Sequence, residues 1–163
     1  MNTTDHVPTL YTMPLEIRLY VIQLLNQTLA CTVDLHSQVK QARWNVKGTD
    51  FACLHTLFTT MATELEAYTD LVAERIAMLG GMALGTVRTA ALQSNLAEYP
   101  DALVEGSAHV LALAERFAQY AAALRDDIAL AADVEDAGSA ALYTDLSRGI
   151  DKRLWFLQAH LHH

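Results

Sequence analysis

Five residues in one stretch have side chains of the kinds that hold metal ions or move protons: His55, Thr59, Glu66, Asp70 and Glu74. At about 100° per residue on a helix they fall within roughly 100° of one another, so they share one side. Asp70 and Glu74 are one helical turn apart, close enough for both carboxylates to reach one cation. His55 precedes Asp70 by fifteen residues, which is about 22 Å along a helix. One helix cannot bring His55 and Asp70 to the same ion. A site using all three needs a second copy of the helix running antiparallel, and therefore a two-fold dimer. The same spacing also suits a solvated acidic face and a hydrogen-bonded histidine near a helix start. Spacing alone leaves both readings open.

The elements that must position these residues follow from hydrophobic periodicity. Phe51, Leu54, Phe58, Met61, Leu65, Tyr68, Val72, Ile76 and Leu79 recur at helical spacing and predict a long helix from Phe51 to Leu79. Gly80 and Gly81 end it. A turn at residues 47–50 joins it to an earlier helix running from Pro14 to about Asn45, with Thr12 as candidate cap. That helix carries Leu15, Leu19, Ile22, Leu25, Leu29 and Val33 on one side, with His36 and Arg43 sharing a face further along. Residues 82–100 make the single long connection, with a short helix expected at Leu92–Leu96. A third helix is expected from Ala102 to Ala132, bearing Val110, Leu113, Phe117, Tyr120 and Leu124. An acidic link at 133–136 leads to a fourth from Ala137 to Leu161, with Leu142, Leu146, Ile150, Leu154 and Leu157 inward.

Four long helices, two short turns and one long cross-over between helices two and three predict an all-α, ferritin-like four-helix bundle. Such bundles advertise a di-iron site in the core by Glu-x-x-His motifs. The chain has none; Glu105 and His109 are four apart. A metal site is therefore expected on the dimer-facing stripe or nowhere.

Composition fits this frame. The 163 residues make one domain, residues 14–163, behind a 13-residue polar tail without lysine or arginine. Hydrophobic residues are 52% of the chain, with seven Gly and three Pro, which favours helices. The formal net charge of −8 argues against anionic partners and suits cations. Cys31 and Cys53 are expected to be reduced, buried residues of a cytoplasmic protein. No apolar run is long enough to span a membrane, and a signal peptide is not expected.

The segments KQARWNVKGTDFACLH, TDLVAERIAMLGG, LGTV, YPDA and DLSRGIDKRLWFLQAHL resemble the Dps family of miniferritins, over nearly the whole chain from about Leu10. The resemblance implies a hollow dodecamer with tetrahedral symmetry. It implies Fe(II) oxidation, often by hydrogen peroxide, storage of the ferric product, and protection against oxidative stress. It places a ferroxidase site at the two-fold interface with ligands from both subunits. Carried over by position, the metal ligands are His55, Asp70 and Glu74, with Trp44 beside them.

Two positions depart from the family pattern. QAHWN has become QARWN, so Arg43 stands where a ligating histidine would be, and Thr59 stands where many members carry Asp. Arginine cannot ligate iron and stays charged. At that place it would pair with the partner subunit's Asp70 and Glu74 and fill the charge hole meant for a cation. Either His55, Asp70 and Glu74 still hold one iron more weakly, with or without His36, or the centre is degenerate. In the second case the shell sequesters iron oxidised elsewhere or acts as a structural oligomer. His36 is read as a hydrogen-bonded interface residue rather than a ligand.

Three further features complete the sequence reading. Asp126, Asp127, Asp133, Glu135 and Asp136 gather where this family has a three-fold pore, and would form either an iron entry ring or an ordinary solvated turn. Ala141 stands where members often have Asp, so the pore lining differs. His160, His162 and His163 at the C-terminus are assigned no function. DNA binding by a lysine-rich tail, which works through phosphate neutralisation, is not expected. The first basic residue is Arg18 and nothing after Arg153 is basic.

Overall fold

The computed structural model describes residues 8–161, so the first seven residues of the tail and the pair His162–His163 lie outside the described residues. Five helices follow in order: α1 Leu15–Asn45, α2 Phe51–Met78, α3 Val87–Gln93, α4 Gly106–Asp133 and α5 Ala137–Ala159. α1 pairs with α2 and α4 with α5 as two hairpins, which pack together; α3, in the cross-over, lies against α1. No strand forms among the described residues. A backbone bridge links Lys47 to Glu105. This is the ferritin-like bundle.

The helix ends show how local chemistry sets the hairpins. α2 stops in a Schellman arrangement: Gly80 has φ +82°, its N–H donates to Ala77 O, and Gly81 N–H donates to Ile76 O, both at 2.9 Å. A Cβ on Gly81 would lie 2.8 Å from Ile22, so glycine there also permits the close approach of α1. The α4–α5 link uses the same pair of bonds, Glu135 N–H to Ala132 O and Asp136 N–H to Ala131 O. Here the left-handed residue is Glu135, at φ 61°, where glycine is usual.

The core is the one the apolar periodicity implies. Leu25, Leu29, Leu35, Phe58, Met61, Leu65, Leu113, Phe117, Leu124, Ile150 and Leu157 are buried in one cluster. Its centre is polar in an unexpected way. Thr28 Oγ1 is 3.1 Å from Tyr143 OH and donates to Asp127 Oδ2 at 3.2 Å; Thr32 Oγ1 is 2.6 Å from Tyr120 OH. Hydroxyls from three helices thus occupy the middle of the bundle. Buried polar groups survive only with partners, and each of these has one.

Two ion pairs fasten α2 to α5. Arg153 grips Glu64 with Nε and Nη2, the Nε contact at 2.6 Å, and Arg153 is buried. Arg75 Nη2 donates to Asp136 at 2.8 Å and its Nε to Ser139 Oγ at 2.9 Å. Between these clamps Tyr68 crosses onto α5 at Gly149, where an added Cβ would lie 1.8 Å from the Tyr68 hydroxyl.

Several expectations need correction. The short helix lies at Val87–Gln93 rather than Leu92–Leu96, because Thr86 accepts from the Thr89 amide and starts it. α4 begins at Gly106, not Ala102: Lys47 N–H donates to Val104 O at 3.2 Å, holding the preceding residues extended. Pro14, not Thr12, is the N-cap of α1. Phe51 and Leu15 are exposed rather than core, each being the first residue of its helix. Cys31 is buried, but Cys53 is exposed.

Candidate metal centre

α2 is one unbroken helix across the candidate ligands, so the separation argued from the sequence holds within one chain. Among the described residues no three His, Cys, Asp or Glu side chains converge. The stripe itself is present. His55 and Thr59 are half-buried on it, while Glu66, Asp70 and Glu74 are exposed. No ion pair among the described residues involves Glu66, Asp70 or Glu74. The carboxylates and, about 22 Å from Asp70 along the helix, the half-buried imidazole are donors of the oxygen and nitrogen types that iron accepts.

Neighbours tune this face. The His55 ring lies 5.4 Å from that of Phe51, tilted by 38°, which explains where the exposed Phe51 spends its surface. Thr59 Oγ1 donates to His55 O at 2.7 Å, so its hydroxyl is used within the helix. On α1, Lys40 Nζ sits 5.5 Å over the Trp44 ring, and Trp44 is exposed. Burial and the charge of Lys40 lower the pKa of His36, against the opposing effect of Glu66. His36 also lines a cavity of about 730 Å³ between α1 and the cross-over, shared with Gln38, Trp44 and Tyr99.

Arg43 is the residue that does not fit a two-metal site. It is half-buried, and its Nε is buried without a hydrogen-bond partner among the described residues. An unpartnered buried guanidinium N–H is costly, and nothing among the described residues answers it.

Among the described residues the bundle core gathers no alternative ligand group. His109 is buried, and its Nδ1 is 2.6 Å from Tyr99 OH; burial lowers its pKa. Glu105, expected within the third helix, is the exposed N-cap residue of α4. Nor do the five carboxylates near the end of α4 act together. Asp136 is buried, accepts from Arg75, and caps α5 through the Ser139 amide at 3.0 Å. Asp127 turns inward to Thr28, and burial raises its pKa to about 6. Asp126, Asp133 and Glu135 remain exposed. The short sequence spacing hid this division, because polarity gives no sign of which carboxylates an arginine or a hydroxyl has claimed.

Sequence and structure comparisons agree with this architecture. A family profile described as a ferritin-like domain matches residues 22–163. A DNA protection during starvation protein of Agrobacterium fabrum is 38% identical over 149 residues, covering 91% of this chain and 92% of the relative. DpsC from Streptomyces coelicolor superposes with a TM-score of 0.94 at 29% identity, over 100% of this chain and 95% of its own. A Mycobacterium smegmatis Dps superposes at 0.90 and 28% identity, over 99% and 96%. With the helix order, the long cross-over and the match along almost the full length in accord, the chain belongs to the Dps family of ferritin-like proteins.

Proposed function

We propose that this protein is a cytoplasmic iron-handling shell. It assembles as a homododecamer, oxidises Fe(II) with hydrogen peroxide at its two-fold interfaces, stores the ferric product and so protects against oxidative stress. The observation that carries this reading is the carboxylate pair Asp70 and Glu74, exposed and without an ion pair among the described residues, on the same face of α2 as His55. Antiparallel pairing of two α2 helices would bring the His55 of one subunit to the partner subunit's Asp70 and Glu74. These three side chains supply donors for one Fe(II), which is the substrate. A second iron has no ligand where Arg43 and Thr59 stand, so the centre is a one-iron ferroxidase site.

A specific observation supports a second reading, in which the centre is degenerate. The Arg43 Nε lacks a partner among the described residues, and a carboxylate pair across the interface would satisfy it. Arginine would then replace the metal, and the shell would store or sequester iron oxidised elsewhere.

Peroxide-driven Fe(II) oxidation, followed optically for the wild type, Asp70→Ala and Arg43→His, separates the two. A wild-type rate above that of buffer, abolished in Asp70→Ala, is the expected result. A wild type no faster than buffer, with activity appearing in Arg43→His, would establish the degenerate centre and overturn the ferroxidase reading.

A further inference from the structure

The cavity between α1 and the cross-over, about 730 Å³ in volume, has the size of a small-molecule site, and the iron stripe makes no use of it. Its wall is rich in negative charge. Asp34 on α1, with Glu98 and Asp101 near the end of the cross-over, line it against one ammonium, that of Lys40. None of these four groups joins an ion pair among the described residues. His36 adds no positive charge at neutral pH, because burial and the charge of Lys40 lower its pKa.

Hydrogen-bond donors of the wall are spent inside the protein, while an acceptor is left over. Ser94 Oγ donates to Asp34 Oδ2 at 2.6 Å. Gln38 Nε2 donates to Asp34 Oδ1 at 3.0 Å and to Ala97 O at 3.1 Å. Those two bonds use both amide hydrogens and fix which end of the amide is oxygen. Gln38 is only 5% exposed, and its Oε1 is buried with no hydrogen-bond partner among the described residues. Such an acceptor costs free energy until a donor reaches it.

The aromatic part of the wall also favours cations. Trp44 and Tyr99 line the cavity, and each ring already holds a cation of the chain. Lys40 Nζ is 5.5 Å from the indole centroid, and Arg116 Cζ is 5.8 Å from the phenol centroid. A bare metal ion is a poor match, because no three His, Cys, Asp or Glu side chains converge among the described residues. An elongated organic cation suits acceptors spread along a wall.

We propose that this cavity binds an aliphatic polyamine. Its ammonium groups meet the Glu98 and Asp101 carboxylates, an N–H answers the Gln38 carbonyl, and its methylenes lie along Trp44 and Tyr99. The site shares no residue with His55, Asp70 and Glu74, so it stands or falls apart from the iron reading.

Calorimetric titration of spermidine into the full-length protein, in amine-free buffer, tests this. Saturation at one spermidine per chain is expected. Glu98→Gln and Asp101→Asn should each weaken binding about two- to fivefold, the range of an exposed charge pair. Both residues are exposed, so the helices should stay intact by circular dichroism. Lys40→Met removes a like charge and should tighten binding by a similar factor. Asp126→Asn, an exposed carboxylate outside the cavity, should leave affinity unchanged. No heat beyond dilution, unchanged affinity in both rim variants, an equal loss in Asp126→Asn, weaker binding in Lys40→Met, or displacement by an equal concentration of Mg(II) would each overturn the proposal.

Discussion

Replacing Asp136 by alanine should be the most damaging change among the acidic residues at the α4–α5 turn. Its carboxylate is 1% exposed and accepts from Arg75 Nη2 at 2.8 Å, Ser139 N–H at 3.0 Å and Ser139 Oγ at 2.5 Å. Stranding a buried partner charge costs about 3–5 kcal/mol, and removing an N-cap about 1 kcal/mol. Arg75 keeps its bond to Ser139 Oγ and some solvent contact, and one carboxylate performs both tasks. The combined loss is therefore about 3–4 kcal/mol. For a chain of this size that lowers the melting temperature by roughly 6–16 °C. Thermal unfolding by circular dichroism measures it, at one fixed protein concentration because assembly links stability to concentration. Asp133→Ala is the control. Asp133 is exposed at the C-terminal end of α4, where a negative charge opposes the helix dipole. It should shift the melting temperature by no more than about 2 °C, and upward if at all. Equal shifts in the two variants, or a loss under about 2 °C in Asp136→Ala, would refute the assignment of Asp136 as a buried clamp.

Two other expectations bear on charge. Burial raises the Asp127 pKa to about 6, so the folded state holds a proton that the unfolded state releases. Stability then falls as pH rises from about 4 to about 6 and stays lower above that. Asp127→Asn keeps an acceptor for Thr28 and should flatten this decline, gaining about 1–2 kcal/mol at pH 7 after allowance for residual solvent contact; denaturant titrations across that pH range would show no difference in slope if the carboxylate were freely solvated. Plasmid DNA should migrate unretarded at neutral pH, ordinary salt and low micromolar protein, given the net charge of −8 and a tail without lysine or arginine. A retarded band in that gel would overturn this expectation.

The parts of the fold legible in the sequence are those written as periodicity. The apolar stripes of α1, α2, α4 and α5 locate four helices within a few residues, and Gly80–Gly81 marks the end of α2 through its backbone freedom. Less legible were features set by single tertiary bonds. The Lys47–Val104 hydrogen bond delays the start of α4, and nothing in the sequence near Ala102 announces it. Thr86 carries the capping signal for α3, whereas Leu92–Leu96 holds only two apolar residues around Gln93, Ser94 and Asn95. Glu135 occupies a left-handed position without being glycine or asparagine, so the turn was read from acidity instead. For the site, helical phase was sufficient to put His55, Asp70 and Glu74 on one face. It could not separate Asp127 and Asp136, claimed by a threonine and an arginine, from their exposed neighbours. Nor could it foresee that Cys53, in an apolar-looking run, opens onto solvent.

The meeting of Tyr68 with Gly149 has a consequence for how such a chain can drift over generations. The phenol occupies the space a methyl group would need on α5, with 1.8 Å between the hydroxyl and the missing Cβ. Neither position is free to change alone: a side chain at 149 requires a shorter residue at 68 or a displaced ring. Loss of the phenol leaves a notch over a bare helix backbone. In related sequences the two columns should therefore move together, large opposite small, as one inherited unit spanning eighty-one positions.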